Sequence, residues 1–323
     1  MLLALLALVT VAPVSSAAIA PRVLIVATFP FEAERWIARD RLSRRIPIAG
    51  LPAPLACNDA QTECLLTTGM GKVNAAASIV LAGASGRLDM RTSYILLAGI
   101  AGTTPEVASI GSVAWARWVV DGGLARETDP REPLVAERFS RSALGFRTGT
   151  EVFALDAALA KWAYAETRSL PLRDSASARR YRAHYRDTKF GNAPPMVLAC
   201  DVISDDTFWQ GAIMSAFARA WVANWTRGRG TYCMSAMEDS GFLGGLARLT
   251  ARGRANLARV LILRGASDYD RPYSGQTPAQ SQAAMSVSGG PELAAENVYL
   301  AGEQVVRRLI RKAAGDFTDP LQP

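Results

Sequence analysis

A single histidine, His184, and four cysteines are all the sequence offers of the residues that most often hold transition metals. One histidine excludes the usual histidine-rich metal sites and leaves a Ser-His-Asp triad without support. The four cysteines match no zinc spacing. "TTGMGKVN" contains Gly71-Lys72, yet Leu66 and Val73 stand where a phosphate-binding P-loop needs a glycine and a hydroxyl, so that motif is absent. "GIAGTT" is not a dinucleotide-binding GxGxxG. Beyond the N-terminus no run of 18 or more apolar residues occurs, so no membrane-spanning helix is expected there. The net charge of +7 is spread thinly. Its densest patch, "SARRYRAHYRDTKF" (177–190), comes with no recognised nucleic-acid motif, and no nucleic-acid partner is expected. There it makes His184 a surface residue. No repeat, low-complexity tract or domain-sized linker appears.

What is present begins at the N-terminus. "MLLALLALVTVAPVSSAAIA" is apolar and then rich in small residues, the pattern of a signal peptide over 1–20, although no Lys or Arg precedes it. The expectation is an exported chain, periplasmic or secreted, with 21–323 as one domain. In such a compartment an even cysteine count favours disulfides. Cys57 and Cys64 flank the turn-like "NDAQTE" and are expected to close a hairpin. Cys200 and Cys233 lie on expected strands, as a second bridge or as buried thiols.

Strand-like and helix-like segments then alternate. "RVLIVATF" (22–29), "SYILLAG" (93–99), "GSVAWARWVVD" (111–121), "PMVLACDV", "GTYCMSA" and "RVLILRGASD" (259–268) read as strands. "KVNAAASIVLAGAS", "QGAIMSAFARAWVANW" and "ELAAENVYLAGEQVVRRLIRKAA" read as helices. That order predicts an α/β fold with a mostly parallel sheet covered on both faces. The stretch 122–192 reads as a loop-rich insertion. In such sheets ligands bind beyond the carboxyl ends of the strands, and the polar clusters of this chain fall there. Four carboxylates stand out: Glu32, Asp206, Glu238 and Asp268. Singly, each reads as a helix-start acid.

Together they carry a resemblance. "VLIVATFPFEAERW", "TTGMGKVNAAASI", "LLAGIAG", "EVFALD", "CDVISDDTFWQG", "GTYCMSAMEDSG" and "RVLILRGASDYDRPYSGQ" resemble, in order, the purine nucleoside permease family within the nucleoside phosphorylase and nucleosidase superfamily. The resemblance implies a three-layer α/β/α nucleoside phosphorylase-like fold with a mixed sheet and a purine nucleoside as ligand. It requires no metal and no organic cofactor, and it leaves room for a homo-oligomer and a separate membrane transporter as partners. It implies Glu238, beside Met237, as the clamp of the ribose diol, and Asp268, after Ser267, as the acid that protonates the leaving purine. Glu32 would orient the attacking water. Phe208 would stack on the base, the backbone near Trp209 would read its edge, and Asp206 would brace that loop; for Phe208 and Trp209 plain core packing is the other reading. Asp239 reads as a helix-start acid and Asp270 as a turn or salt-bridge residue. The glycine loop at Gly99, Ile100 and Gly102 has Leu97 and Ile100 where phosphorolytic enzymes carry phosphate ligands. Hydrolysis is therefore expected over phosphorolysis, unless Arg126 or Arg131 reaches in from the rim. A non-catalytic nucleoside-binding role in uptake is the alternative.

Overall fold

The computed structural model describes residues 17–128 and 141–311. Most of the expected signal peptide, and Arg131, lie outside the described residues. Ile19, within the expected leader, already bridges to Leu88.

In chain order the elements are β1 (Val23–Ala27), α1 (Pro30–Arg39), β2 (Arg44–Ile46), β3 (Leu55–Cys57), β4 (Glu63–Thr67), α2 (Lys72–Ala84) and β5 (Tyr94–Thr103). Next come β6 (Val113–Ala116), β7 (Trp118–Asp121), β8 (Ala125–Glu127), β9 (Arg141–Ala143), β10 (Val152–Ala154), α3 (Ala157–Thr167) and α4 (Ala176–Arg182). The last part holds β11 (Val197–Ala199), β12 (Asp201–Ser204), α5 (Ala212–Trp225), β13 (Tyr232–Ala236), α6 (Asp239–Ala251), β14 (Val260–Tyr269), α7 (Pro278–Ala283) and α8 (Gly290–Arg311).

The fold follows from where the apolar residues point. All five residues of β1 are buried, as a strand covered on both faces requires. Leu24 and Val26 enter one core layer with Ile79 of α2 and Leu246 of α6. Val23 and Ile25 enter the other, with Trp36 of α1, Leu159 of α3 and Val305 of α8. Alternate residues of one strand thus feed two helical layers, giving a three-layer α/β/α body around a mixed sheet. β1 runs parallel to β4 and β5, and β5 parallel to β14, while β13 meets the end of β5 antiparallel. Helices α2 and α6 approach closely because α6 is glycine-dotted. A Cβ on Gly245 would come within 2.7 Å of Ile79 Cγ2, and one on Gly241 would overlap the Lys72 backbone.

Two expectations need correction. The segment 111–121 is two strands, not one: β6 pairs with β14 and β11, whereas β7 pairs with β12 and β10. The break at Arg117 is caught by the buried Asp201 carboxylate, which accepts the N–H groups of Arg117 (3.1 Å) and Trp118 (2.8 Å). "PMVLACDV" likewise divides at Cys200. Among its described residues, 122–192 holds short strands and two helices between longer loops. Its β8–β9 pair forms a rim, but β10 joins the main sheet and α3 packs on the α8 layer. Disulfides join Cys57 to Cys64 and Cys200 to Cys233, so the second pair is bridged and not left as thiols.

Candidate active site

The carboxyl ends of β1, β5, β13 and β14 converge on a cleft of about 230 Å³. Glu32 projects into it from the first turn of α1. Its Oε2 accepts hydrogen bonds from the Thr28 N–H (2.8 Å) and hydroxyl (2.7 Å), and its Oε1 from the Ile100 N–H (2.7 Å). Burial pushes the Glu32 carboxyl above its usual range, and the nearby Arg264 charge with these donors only partly offsets it. Gly99 lies directly behind. A Cβ there would overlap Glu32 Oε1 and crowd Arg264 Nη1, so only glycine leaves room for both groups.

Glu238 and Asp239 stand where β13 passes into α6. Glu238 Oε1 accepts from the Gly71 N–H (3.1 Å) and Oε2 from Arg264 Nη2 (3.2 Å). Asp239 is fully buried and takes the side edge of the same guanidinium, Nε at 3.2 Å and Nη2 at 2.7 Å. Asp239 does begin the helix, but its partner is a buried arginine. Burial works against the Arg264 charge, and Asp239, Glu238 and Glu32 outweigh it, holding the guanidinium protonated beyond its ordinary value.

Asp268 comes from a strand that is locally irregular. The register of β14 against β5 slips between Ala266 and Asp268, a bulge that re-aims the side chains that follow. Ser267 Oγ lies 2.7 Å from Asp268 Oδ1 and 3.0 Å from the Ala101 carbonyl. Burial, only weakly opposed by the Ser267 hydrogen bond, pushes the Asp268 carboxyl up to about 6. Among the described residues Asp270 has no salt-bridge partner. It is buried, accepts the Tyr232 hydroxyl at 2.7 Å and is pushed up to about 7 by burial.

Of the residues expected from sequence, Glu32, Ile100, Gly102 and Phe208 line the cleft, as do Met237, Glu238, Ser267 and Asp268. Phe208 is 44% exposed and is not core. Trp209 instead packs against the Phe217–Trp221 cluster behind. Asp206 accepts the Lys72 N–H at 2.7 Å, tying its loop to the start of α2. Arg126 is on the exposed rim strand β8. His184 is exposed and stacks on Tyr273, outside the cleft.

Sequence reasoning missed Arg264, Thr28, Met70 and Met285. Arg264 had a signal: one arginine inside the apolar run "VLILRGA". A buried charge demands partners, since leaving it unpaired costs more than one buried Leu or Ile contributes, about 1.5–3 kcal/mol. Met285, in the short turn before α8, lines the cleft from a stretch with no motif.

Comparisons with known proteins bear on the family and the fold. A family model described as "Purine nucleoside permease (NUP)" matches residues 20–321. A probable purine nucleoside permease of Schizosaccharomyces pombe is 31% identical over 335 residues, covering 94% of this chain and 95% of the relative. A purine nucleoside permease of Candida albicans is 27% identical over 308 residues, covering 90% and 75%. Among solved structures, the 5'-methylthioadenosine/S-adenosylhomocysteine nucleosidase of Colwellia psychrerythraea, in complex with adenine, is similar at TM-score 0.58 and 14% identity, with 90% and 96% covered. Futalosine hydrolase of Helicobacter pylori is similar at TM-score 0.55 and 12% identity, with 89% and 98% covered. At these identities the structural likeness speaks for the fold.

Proposed function

This chain belongs to the purine nucleoside permease family, and from that premise we propose that it binds purine nucleosides and hydrolyses their N-glycosidic bond. The observation that carries the reading is one cleft with three buried carboxylates of different surroundings. Asp268 has no cation beside it and keeps its proton to about pH 6. Glu238 is held by a backbone N–H and an arginine, with lone pairs left for the 2′ and 3′ hydroxyls. Glu32 is fixed by three donors. In the proposed reaction the C1′–N9 bond breaks with its electrons moving onto the purine. Asp268 delivers a proton to N7, which relieves that charge. Water adds at C1′ and gives its proton to Glu32, leaving ribose and free base. An oxocarbenium-like sugar needs a well-placed nucleophile more than a strong one.

Water is favoured over phosphate as the nucleophile. A phosphate dianion here would face Glu32 and Glu238, while Arg264 is already committed to three carboxylates. A desolvated anion without a charge partner is strongly disfavoured. A second reading, nucleoside binding in support of a separate transporter, draws on the relatives' names. It also draws on Glu32, whose oxygens already accept three protein hydrogen bonds. Among the described residues no helix is long and apolar enough to cross a membrane. The two disulfides favour the export expected from the leader-like N-terminus.

The test is incubation of the purified chain with inosine, guanosine and adenosine, with and without phosphate, following free base by chromatography. Base release without phosphate is the expected result. Release only with phosphate would replace hydrolysis by phosphorolysis. Saturable binding with no release would leave the binding role.

A further inference from the structure

We propose that Asp239 is a positioning residue: by gripping the Nε–Nη2 edge of Arg264 it makes the guanidinium span Glu238 and Glu32, and so sets how Glu238 meets the ribose. This rests on the reading that Glu238 receives the ribose hydroxyls.

Asp239 has no exposed surface and does not line the cleft, so it cannot act by touching a ligand. Its effect passes through one guanidinium. The two hydrogens of Nη2 are divided between Asp239 at 2.7 Å and Glu238 at 3.2 Å. Nε is taken by Asp239 at 3.2 Å. Nη1 is left to face the Ile100 carbonyl at 3.3 Å and Glu32 at 4.0 Å. Asp239 makes the shortest contact of the guanidinium, 2.7 Å at Nη2, and is the carboxylate that takes two of its nitrogens, so Asp239 determines its plane. Glu238 receives one guanidinium contact, at 3.2 Å, and among the described residues is otherwise tied only to the Gly71 N–H. That leaves it acceptor capacity for a diol.

Without the Asp239 charge, the guanidinium would have one strong anion within direct reach on that side, Glu238. It would close on that carboxylate bidentately and take the lone pairs the sugar needs. A purely structural pair would not look like this. One arginine and one aspartate balance each other, whereas here two further carboxylates share the buried cation. That surplus of negative charge weakens a core and has a use only at a site. The placement is also local in sequence. Glu238 caps α6 and Asp239 is its first residue, where the helix dipole favours anions.

The experiment reads ribose recognition directly, in an Asp268→Asn background chosen to stop turnover. Dissociation constants for inosine and 2′-deoxyinosine are measured by calorimetric titration with Glu238 and Asp239 intact, and with Glu238→Gln or Asp239→Asn added. Intact Glu238 and Asp239 should prefer inosine by roughly tenfold or more, the value of one charge-assisted hydrogen bond. Glu238→Gln should abolish that preference, and Asp239→Asn should abolish it too, with 2′-deoxyinosine, which keeps only the 3′ hydroxyl, losing less affinity than inosine. Preference lost in Glu238→Gln but kept in Asp239→Asn overturns the proposal alone. Equal loss of affinity for both nucleosides in Asp239→Asn also overturns it, as the signature of a structural role. No preference with Glu238 and Asp239 intact overturns the reading of Glu238 and the proposal with it. If Asp239→Asn does not fold, the paired change Asp239→Leu with Arg264→Met removes both charges together. Preference kept in that protein overturns the proposal, and preference lost with a cooperative melt supports it.

Discussion

Asp268 shows how one side chain acquires a task from its surroundings. Desolvation favours its neutral form, and the single hydroxyl of Ser267 is too weak a donor to cancel that. As the proton donor it must be protonated to act. kcat/KM should therefore fall about tenfold per unit above about pH 6, and fall again on the acid side once Glu32, which must take the water's proton, is itself protonated, in a pH–rate profile of base release. Asp268→Asn should cut kcat by about 10²–10⁴ while nucleoside still binds; a variant that keeps its activity would remove Asp268 from the chemistry. Asp268, Glu238 and Glu32 stood out in the sequence as carboxylates at strand ends, each reading singly as a helix-start acid, and their roles came from the family resemblance alone. Arg264 showed only as a charge inside an apolar run, and its pairing with Asp239 was not legible. Their pairing crosses from β14 to the start of α6, and no local pattern reports a contact between chain-distant residues. For Phe208 and Trp209 the residues alone left core packing open for both, because neighbouring aromatics give no sign of which one faces inward.

Strands and helices were largely readable, and the exceptions share a cause. α2 covers Lys72–Ala84 and β13 covers Tyr232–Ala236, close to the segments their composition marks out. The unforeseen breaks at Arg117 and Cys200 belong to strands that change partners part-way along. Asp201 governs that change by accepting backbone N–H groups from both Trp118 and Thr231. A composition that stays apolar cannot announce a change of neighbour. The disulfides reinforce different parts of this sheet. Cys57–Cys64 clasps β3 to β4 across a separation of 7 residues, and Cys200–Cys233 ties the chain beside β12 to β13 across 33. Loop-closure entropy makes the longer bridge the more stabilising, by about 1.4 kcal/mol. Denaturant unfolding of the two Cys→Ser pairs should show the larger loss for Cys200/Cys233. Equal losses would mean that local strain, not chain entropy, sets their contributions.

Taken together, the molecule carries titratable groups at both ends of its sheet. Opposite the cleft, Glu63 at the start of β4 faces Asp40, which caps the C-terminus of α1 and accepts the Tyr299 hydroxyl at 2.8 Å. Burial first, and the Asp40 charge second, push the Glu63 carboxyl up to about 8 from 4.5. A carboxyl raised on folding stabilises most below its unfolded value and loses that contribution as pH climbs to its folded one. Stability should thus decline between about pH 4.5 and 8, and Asp270, raised to about 7, acts in the same direction. Glu63→Gln should flatten the decline and raise the melting temperature at pH 8 by roughly 2–4 °C, with little change at pH 4.5. A melting curve series with unchanged slope would reject this account. The bridges have one more outcome. Because they consume all four cysteines, the folded chain offers no thiol to an electrophilic dye. A cysteine introduced at Val287, 76% exposed and two residues from the cleft-lining Met285, would be its single labelling point. An environment-sensitive fluorophore there would turn occupancy of the cleft into an optical signal.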